Sequence, residues 1–155
     1  MKAPDNALAL ENYRGLAPAY DEATWMMEPL RRRAVDALRL EPGDVVLDVA
    51  CGTGKSFALI QEQIGPAGRL IAIDQSPEML AIARRRVARA GWRNVTLVES
   101  AVERARIAEE VDAILFCYAH DVLQSDIALD SVFATARRGC RVASTGMQCF
   151  PWWLE

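Results

Sequence analysis

The chain predicts an α/β fold, a doubly wound and mostly parallel sheet, on three observations. Short apolar runs alternate with segments of helical periodicity from about residue 41 onward. The first run, Val45 to Val49, ends in the glycine turn Ala50-Cys-Gly-Thr-Gly54, and a helix-compatible segment follows it. Polar and glycine residues cluster just after each apolar run, where an open parallel sheet binds its ligands. At 155 residues the chain is sufficient for one domain with a proper core.

Each element can be justified in order. Residues 1–40 are expected to form a helical lid and a first helix, the lid carrying Tyr13, Tyr20 and Trp25 among polar neighbours. Glu28-Pro29 opens the helix, with proline tolerated in its first turn, and the helix runs to about Leu40. Leu30, Ala34, Val35 and Leu38 are placed on its core face, with Arg31, Arg32, Arg33 and Asp36 mostly on the others. Pro42-Gly43-Asp44 ends it and leads to the first strand, Val45 to Val49. The glycine turn and a helix from Lys55 to Ile64 come next, then the tight connection Gly65 to Gly68. Leu70 to Ile73 reads as a second strand ending in Asp74. Ser76-Pro77-Glu78 supplies an N-cap, a proline at N1 and an acid in the first turn, and Gly91 is a natural stop for that helix. Val95 to Val98 and Val111 to Cys117 read as strands three and four. Asp121 to Arg138 reads as largely helical, and Arg141 to Thr145 as strand five. Residues 41–146 thus form the expected core, and 147–155 an apolar tail.

Composition narrows the function classes. A net charge of −3 argues against a general nucleic-acid binder. The arginines at 84, 85, 86, 89 and 93 are interleaved with apolar positions, the pattern of a solvated helix face. No apolar run approaches the roughly 18 to 20 residues that span a bilayer, and Met1 to Asp5 has no signal-type stretch; a cytoplasmic protein is expected. Four dispersed cysteines and a single histidine are poor material for a metal site, so none is expected, and the thiols are expected to be buried and reduced. Cys51 stands apart because it lies in the turn itself.

The turn points to a ligand. Glycine lets the backbone approach a bound group closely, while the acidic Asp48 at the strand end repels phosphate and favours a cation, an amine or hydroxyls. S-adenosylmethionine offers a sulfonium, an ammonium and a ribose diol. A phosphate loop fits poorly, since Val49 occupies the position of its first glycine. A nicotinamide-binding turn lacks its third glycine, which falls on Phe57, but an oxidoreductase remains an alternative. Asp74 sits at the distance beyond the turn that a ribose-binding acid requires. His120, after strand four, is the candidate general base, the bland alternative being a loop hydrogen bond. Tyr20 and Tyr118 are candidate lining residues of the same pocket.

These residues give the chain its family resemblance. From about Tyr20 to Gly146 it resembles the class I S-adenosylmethionine-dependent methyltransferases, and within them the quinone-biosynthesis C-methyltransferases. Val46 to Gly54 resembles the first family motif, Ile71 to Leu80 the second, Val95 to Val102 the third and Val111 to Tyr118 the fourth. The resemblance implies a Rossmann-like fold, S-adenosylmethionine as cofactor with S-adenosylhomocysteine as product, and a small-molecule methyl acceptor. It implies that Asp48 and the turn residues Ala50, Cys51, Gly52, Thr53 and Gly54 surround the methionine part. Asp74 would accept from the ribose hydroxyls, with Gln75 and Met79 flanking the adenine. Ser100 and Ala101 fall on its amino side, Ala101 replacing an aspartate common in the family. Cys117 and Tyr20 complete the implied cofactor-binding set. Family members usually continue into an antiparallel pair of strands after the fifth, and this chain stops at Glu155. A shortened form, self-association through strand five and the tail, or a cofactor-binding remnant without catalysis are the corresponding expectations; Leu154-Glu155 also has the look of a cloning remnant.

Overall fold

The computed structural model describes Asp21 and residues 24–146. Within them the elements are α1 (Glu28–Ala37), β1 (Val45–Val49), α2 (Phe57–Ile64), β2 (Arg69–Asp74), α3 (Pro77–Ala90), β3 (Val95–Glu99), β4 (Val111–Cys117), α4 (His120–Leu123), α5 (Asp126–Phe133) and β5 (Ala136–Thr145). The strands form one sheet in the order β3-β2-β1-β4-β5, and every pairing is parallel. The α/β, doubly wound expectation is met. The chain steps outward from β1 to β3, then returns across the sheet to β4, so the strand order reverses between β1 and β4. An open parallel sheet has its crevice at that reversal, beyond the carboxyl ends.

Both faces of the sheet are covered, which is why its strands are almost continuously apolar. Val46, Leu70, Ala72 and Leu115 point to one side and pack with Ala34, Val35 and Leu38 of α1, Ile60 of α2 and Leu80 of α3. Leu47, Ile71, Ile114 and Phe116 point to the other, against Ala128 and Val132 of α5 and Val102 of a short 3-10 turn. Asp48 has the parity of Val46, so its carboxylate enters the first of these layers.

The local signals work as expected around α3. The Ser76 hydroxyl accepts from the Met79 amide at 3.2 Å, Pro77 stands at the first helical position, and Gly91 ends the helix at φ +70°. Two expectations need correction. The segment 121–138 is not one helix: Ser125 starts a new one, its hydroxyl accepting from the Ala128 amide at 3.2 Å, and β5 begins at Ala136. An irregularity in the β4–β5 register, with Gly139 at φ +84°, carries the extra residues before Arg141 joins the ladder. The second correction concerns α1, which ends at Ala37 and turns one of its three arginines inward. Leu30 is 40% exposed, whereas Arg31 is only 5% exposed. Residues 31, 34, 35 and 38 make the true buried stripe, an i, i+3, i+4, i+7 set. The lid, Tyr20 and the tail 147–155 lie outside the described residues.

Candidate active site

Four strand tips meet at the rim beside the reversal. From β1 comes the turn 50–54, in which Ala50, Gly52 and Gly54 all have positive φ (56°, 57° and 78°). Two of the glycines serve different ends. A Cβ on Gly54 would lie 2.5 Å from the Phe57 ring, so that glycine lets α2 close onto the turn; a Cβ on Gly52 would meet nothing within 4 Å, so Gly52 faces open space. Cys51 is pinned through its amide to the Ile73 carbonyl at 2.9 Å. Burial, reinforced by Asp48 and Asp74, holds its thiol well above the usual range and therefore protonated. Cys51 is a packed thiol.

From β2 comes Asp74, which is tied to both neighbouring turns. One oxygen accepts from the Gly52 amide and the other from the Ser76 amide, each at 2.8 Å. Burial raises its pKa, and these amides, with that of Gln75, pull it back down. Each carboxylate oxygen retains a lone pair for a further donor. Gln75 is half-buried and Met79 fully buried at the start of α3. At the tip of β3 the Ser100 amide donates to the Asp74 carbonyl at 3.0 Å, and its hydroxyl to the Ala101 carbonyl at 2.9 Å. Asp74, Gln75, Ser100 and Ala101 thus stand on adjacent strand tips.

Asp48 differs from all of these. It is 1% exposed, and neither carboxylate oxygen has a hydrogen-bond partner among the described residues. Its pKa is pushed up to about 7, first by burial, with Arg31 opposing and Asp74 adding to the rise. The buried Arg31 lies on the same side of the sheet. Its Nη1 reaches Cys117 Sγ at 3.3 Å and Ser56 Oγ at 3.4 Å, and its guanidinium stands 5.7 Å from the centroid of the Tyr118 ring. Cys117 is buried, and its thiol is raised to about 11 mainly by that burial. Tyr118 has φ +62°, a strained backbone at the tip of β4. His120 opens α4 with an exposed side chain whose ring packs against Gly146, 2.7 Å from where a Cβ would stand.

Thr53 is buried, and its hydroxyl donates to Asp21 at 2.6 Å. Asp21 also pairs with Arg86 of α3, and Lys55 donates to the Asp21 carbonyl at 3.0 Å. Asp21 is therefore fastened to the glycine turn and to α3. Sequence reasoning missed Arg31, Ser56 and Asp21. For Arg31 a signal existed, the unbroken stripe with Ala34, Val35 and Leu38; for the other two only the folded chain brings the partners together. A groove of about 520 Å³, lined by Gln61, Glu62, Trp92 and Asn94 among others, opens at the amino end of the sheet, away from these carboxylates.

The comparisons with known proteins agree with this geometry. Residues 46–142 match the methyltransferase domain family, and that stretch begins at β1 and closes inside β5. The chain belongs to this family. It is 36% identical over 89 residues to a demethylmenaquinone methyltransferase of Symbiobacterium thermophilum, covering 57% of this chain and 35% of that protein. A methyltransferase-family chain thus spans about a third of the length of the curated relative it matches. Among solved structures it is similar to a SAM-dependent methyltransferase from Aquifex aeolicus, at TM-score 0.60 and 25% identity over 69% of this chain and 58% of that one. It is also similar to DhpI in its complex with SAH, at TM-score 0.66 and 26% identity over 86% and 64% of the two chains.

Proposed function

We propose that the protein binds S-adenosylmethionine at the carboxyl rim of β1 and β2 and transfers its methyl group to a small-molecule acceptor. The observation that carries this reading is Asp48, a buried carboxylate without a hydrogen-bond partner among the described residues, beside a turn in which Gly52 faces open space. A buried unpaired carboxylate is expensive, and a cationic ligand relieves that cost. Asp74, with lone pairs left over, suits the ribose diol. Gln75, Met79, Ser100 and Ala101 suit the adenine, and Ala50 to Gly54 the methionine part; Tyr20 and Cys117 are kept as further members of the set.

When bound, the cofactor supplies an activated methyl group on sulfur. The protein's own task is alignment and exclusion of water, and positioning of this kind contributes several kcal/mol of barrier lowering. Gly52 permits close approach, Asp74 fixes the turn to α3, and Asp21 is held against the turn. His120, exposed just beyond β4, is our candidate to take a proton from an acceptor that needs one removed. Methyl acceptors of the demethylmenaquinone type are the first to test, because of the relative's activity. No helix among the described residues is long and apolar enough to cross a membrane; we place the protein in the cytoplasm. We also propose that copies associate through β5, the outer strand of the described sheet, where Val142 is 49% exposed.

Calorimetry with S-adenosylmethionine and S-adenosylhomocysteine tests the reading. The parent protein should bind both, and Asp74→Ala should weaken both by about ten- to a hundredfold, the loss of charge-assisted hydrogen bonds. No binding by the parent ends the proposal. Turnover with a quinone panel should fall by about 10²- to 10⁴-fold in His120→Gln if the acceptor needs a base. A second reading is a cofactor-binding domain without turnover. Tight binding with no methylated product across the panel selects it.

A further inference from the structure

The groove at the amino end of the sheet holds side-chain chemistry that the candidate active site does not use. It lies between α2 and the connection from α3 to β3, and its volume is about 520 Å³, in the range of small-molecule pockets. Gln61 of α2 lines it and is only 9% exposed, yet its Nε2 has no hydrogen-bond partner among the described residues. A buried amide donor left unpaired is costly and therefore rare. The last torsion of a glutamine is soft, so the amide turns its N–H toward the groove at little cost.

Asn94 supplies the complementary group. Its Nδ2 donates to the Gly65 carbonyl at 3.1 Å and the Gly68 carbonyl at 2.8 Å, which uses both N–H groups and leaves Oδ1 to accept. Trp92 lines the same groove, half-buried against the core. Gly65 and Gly91 border open space, since a Cβ on either would meet nothing within 4 Å. Glu62 and Arg93 are exposed at the groove, and neither is in an ion pair among the described residues. A donor, an acceptor, an indole, a carboxylate and a guanidinium thus share one concave surface with no partner there.

Together these groups select a ligand. The indole requires a flat partner, because aromatic planes stack. Gln61 and Asn94 require an acceptor next to a donor on that partner's edge, and nucleobase edges carry such pairs. The fork of Arg93 matches phosphate oxygens, and Glu62, which only accepts, matches hydroxyls. A simple aromatic acid would satisfy the indole and Arg93 and leave Asn94 and Glu62 without donors. A polynucleotide is the poorer fit, because the chain carries a net charge of −3 and an acid stands in the groove itself. We propose that this groove binds a free purine nucleotide, with its base on Trp92 and its edge at Gln61 and Asn94, its ribose at Glu62 and its phosphate at Arg93. The site stands at the opposite end of the strands from Asp48 and Asp74 and does not depend on the cofactor reading.

Calorimetry with guanosine monophosphate, in the presence of excess S-adenosylhomocysteine, tests the site. The parent should bind the nucleotide with a dissociation constant below about 1 mM, and ribose phosphate, which lacks the base, at least about tenfold more weakly. Gln61→Leu should weaken nucleotide binding about tenfold while the melting temperature holds or rises, because the unpaired buried donor is gone. A merely structural glutamine would show the reverse, a lower melting temperature with affinity unchanged. Arg93→Gln, at the surface, should weaken binding by a similar factor and flatten its salt dependence; it decides the matter if Gln61→Leu does not fold. No binding by the parent overturns the proposal, as does equal affinity for ribose phosphate or unchanged affinity in either folded variant. Displacement of S-adenosylhomocysteine by the nucleotide also overturns it, by placing the nucleotide at the other end of the sheet. A short single-stranded RNA that binds far more tightly than the mononucleotide overturns it in favour of a polynucleotide surface.

Discussion

Asp48 carries a stability cost of the kind that a cationic ligand would relieve. Its pKa rises from 3.8 to about 7 because burial disfavours the charged form more than Arg31 restores it. The native state therefore holds a proton that the unfolded chain has released between roughly pH 4 and pH 7. Stability contributed by this group is fully present below the unfolded value and is lost as pH rises through the folded one. The parent should thus lose stability relative to Asp48→Asn across that window, by on the order of 4 kcal/mol in total, and the difference should level off above it. Denaturant melts of both proteins from pH 4 to pH 8 check this; parallel curves would discard the assignment. Ligand binding has the opposite sign. An ammonium prefers the carboxylate, so affinity for S-adenosylhomocysteine should climb as pH rises toward 7, with proton release detectable in buffers of different ionisation enthalpy.

The turn 50–54 and α1 are the elements on which the site depends. In the turn, Gly54 and Gly52 divide the work: one accommodates the Phe57 ring, the other keeps space open. Both have positive φ, so alanine at either position strains the backbone by about 1–2 kcal/mol. Gly54→Ala adds a collision with Phe57, buried in the core, and should be the more damaging to the melting temperature. Gly52→Ala should leave a folded protein that binds S-adenosylhomocysteine at least about tenfold more weakly. A Gly52→Ala protein with unchanged affinity would show that the open side of the turn is not where the ligand lies. In α1, the arginine sits in the stripe that the sequence pattern reserves for apolar residues. An apolar bias assigned Leu30 to the core in its place, although the spacing of 31, 34, 35 and 38 was visible. Local rules find helices reliably; they misjudge a charged residue that has a reason to be buried.

At the scale of the whole molecule, the sheet order places the tips of β1 and β4 side by side across the reversal. That single topological fact brings residue 48 near the tip of β4, where the guanidinium of Arg31 meets Cys117 and the Tyr118 ring. It also leaves β5 as an outer strand of the described sheet, with Arg137 and Arg138 exposed along with Val142. The exposed charges oppose edge-to-edge pairing and the apolar position favours it. Sedimentation velocity over a range of concentrations should show reversible association that Val142→Lys suppresses. A single monomeric species at every concentration removes β5 from consideration.

The sequence by itself determined the strand and helix order, the glycine turn, the two acids Asp48 and Asp74 at successive strand ends, and the cap at Ser76. Each is written in periodicity or in a residue's backbone preference, which act over a few neighbours. Only the tertiary structure decided that Asp74 ties two turns together, that Cys51 is packed, that residues 121–138 break into helices and strand, and that Arg31 is buried against Cys117 and Tyr118. Those are matters of burial and of contacts between distant segments. No local pattern encodes the electrostatic environment that the folded chain creates around a charge.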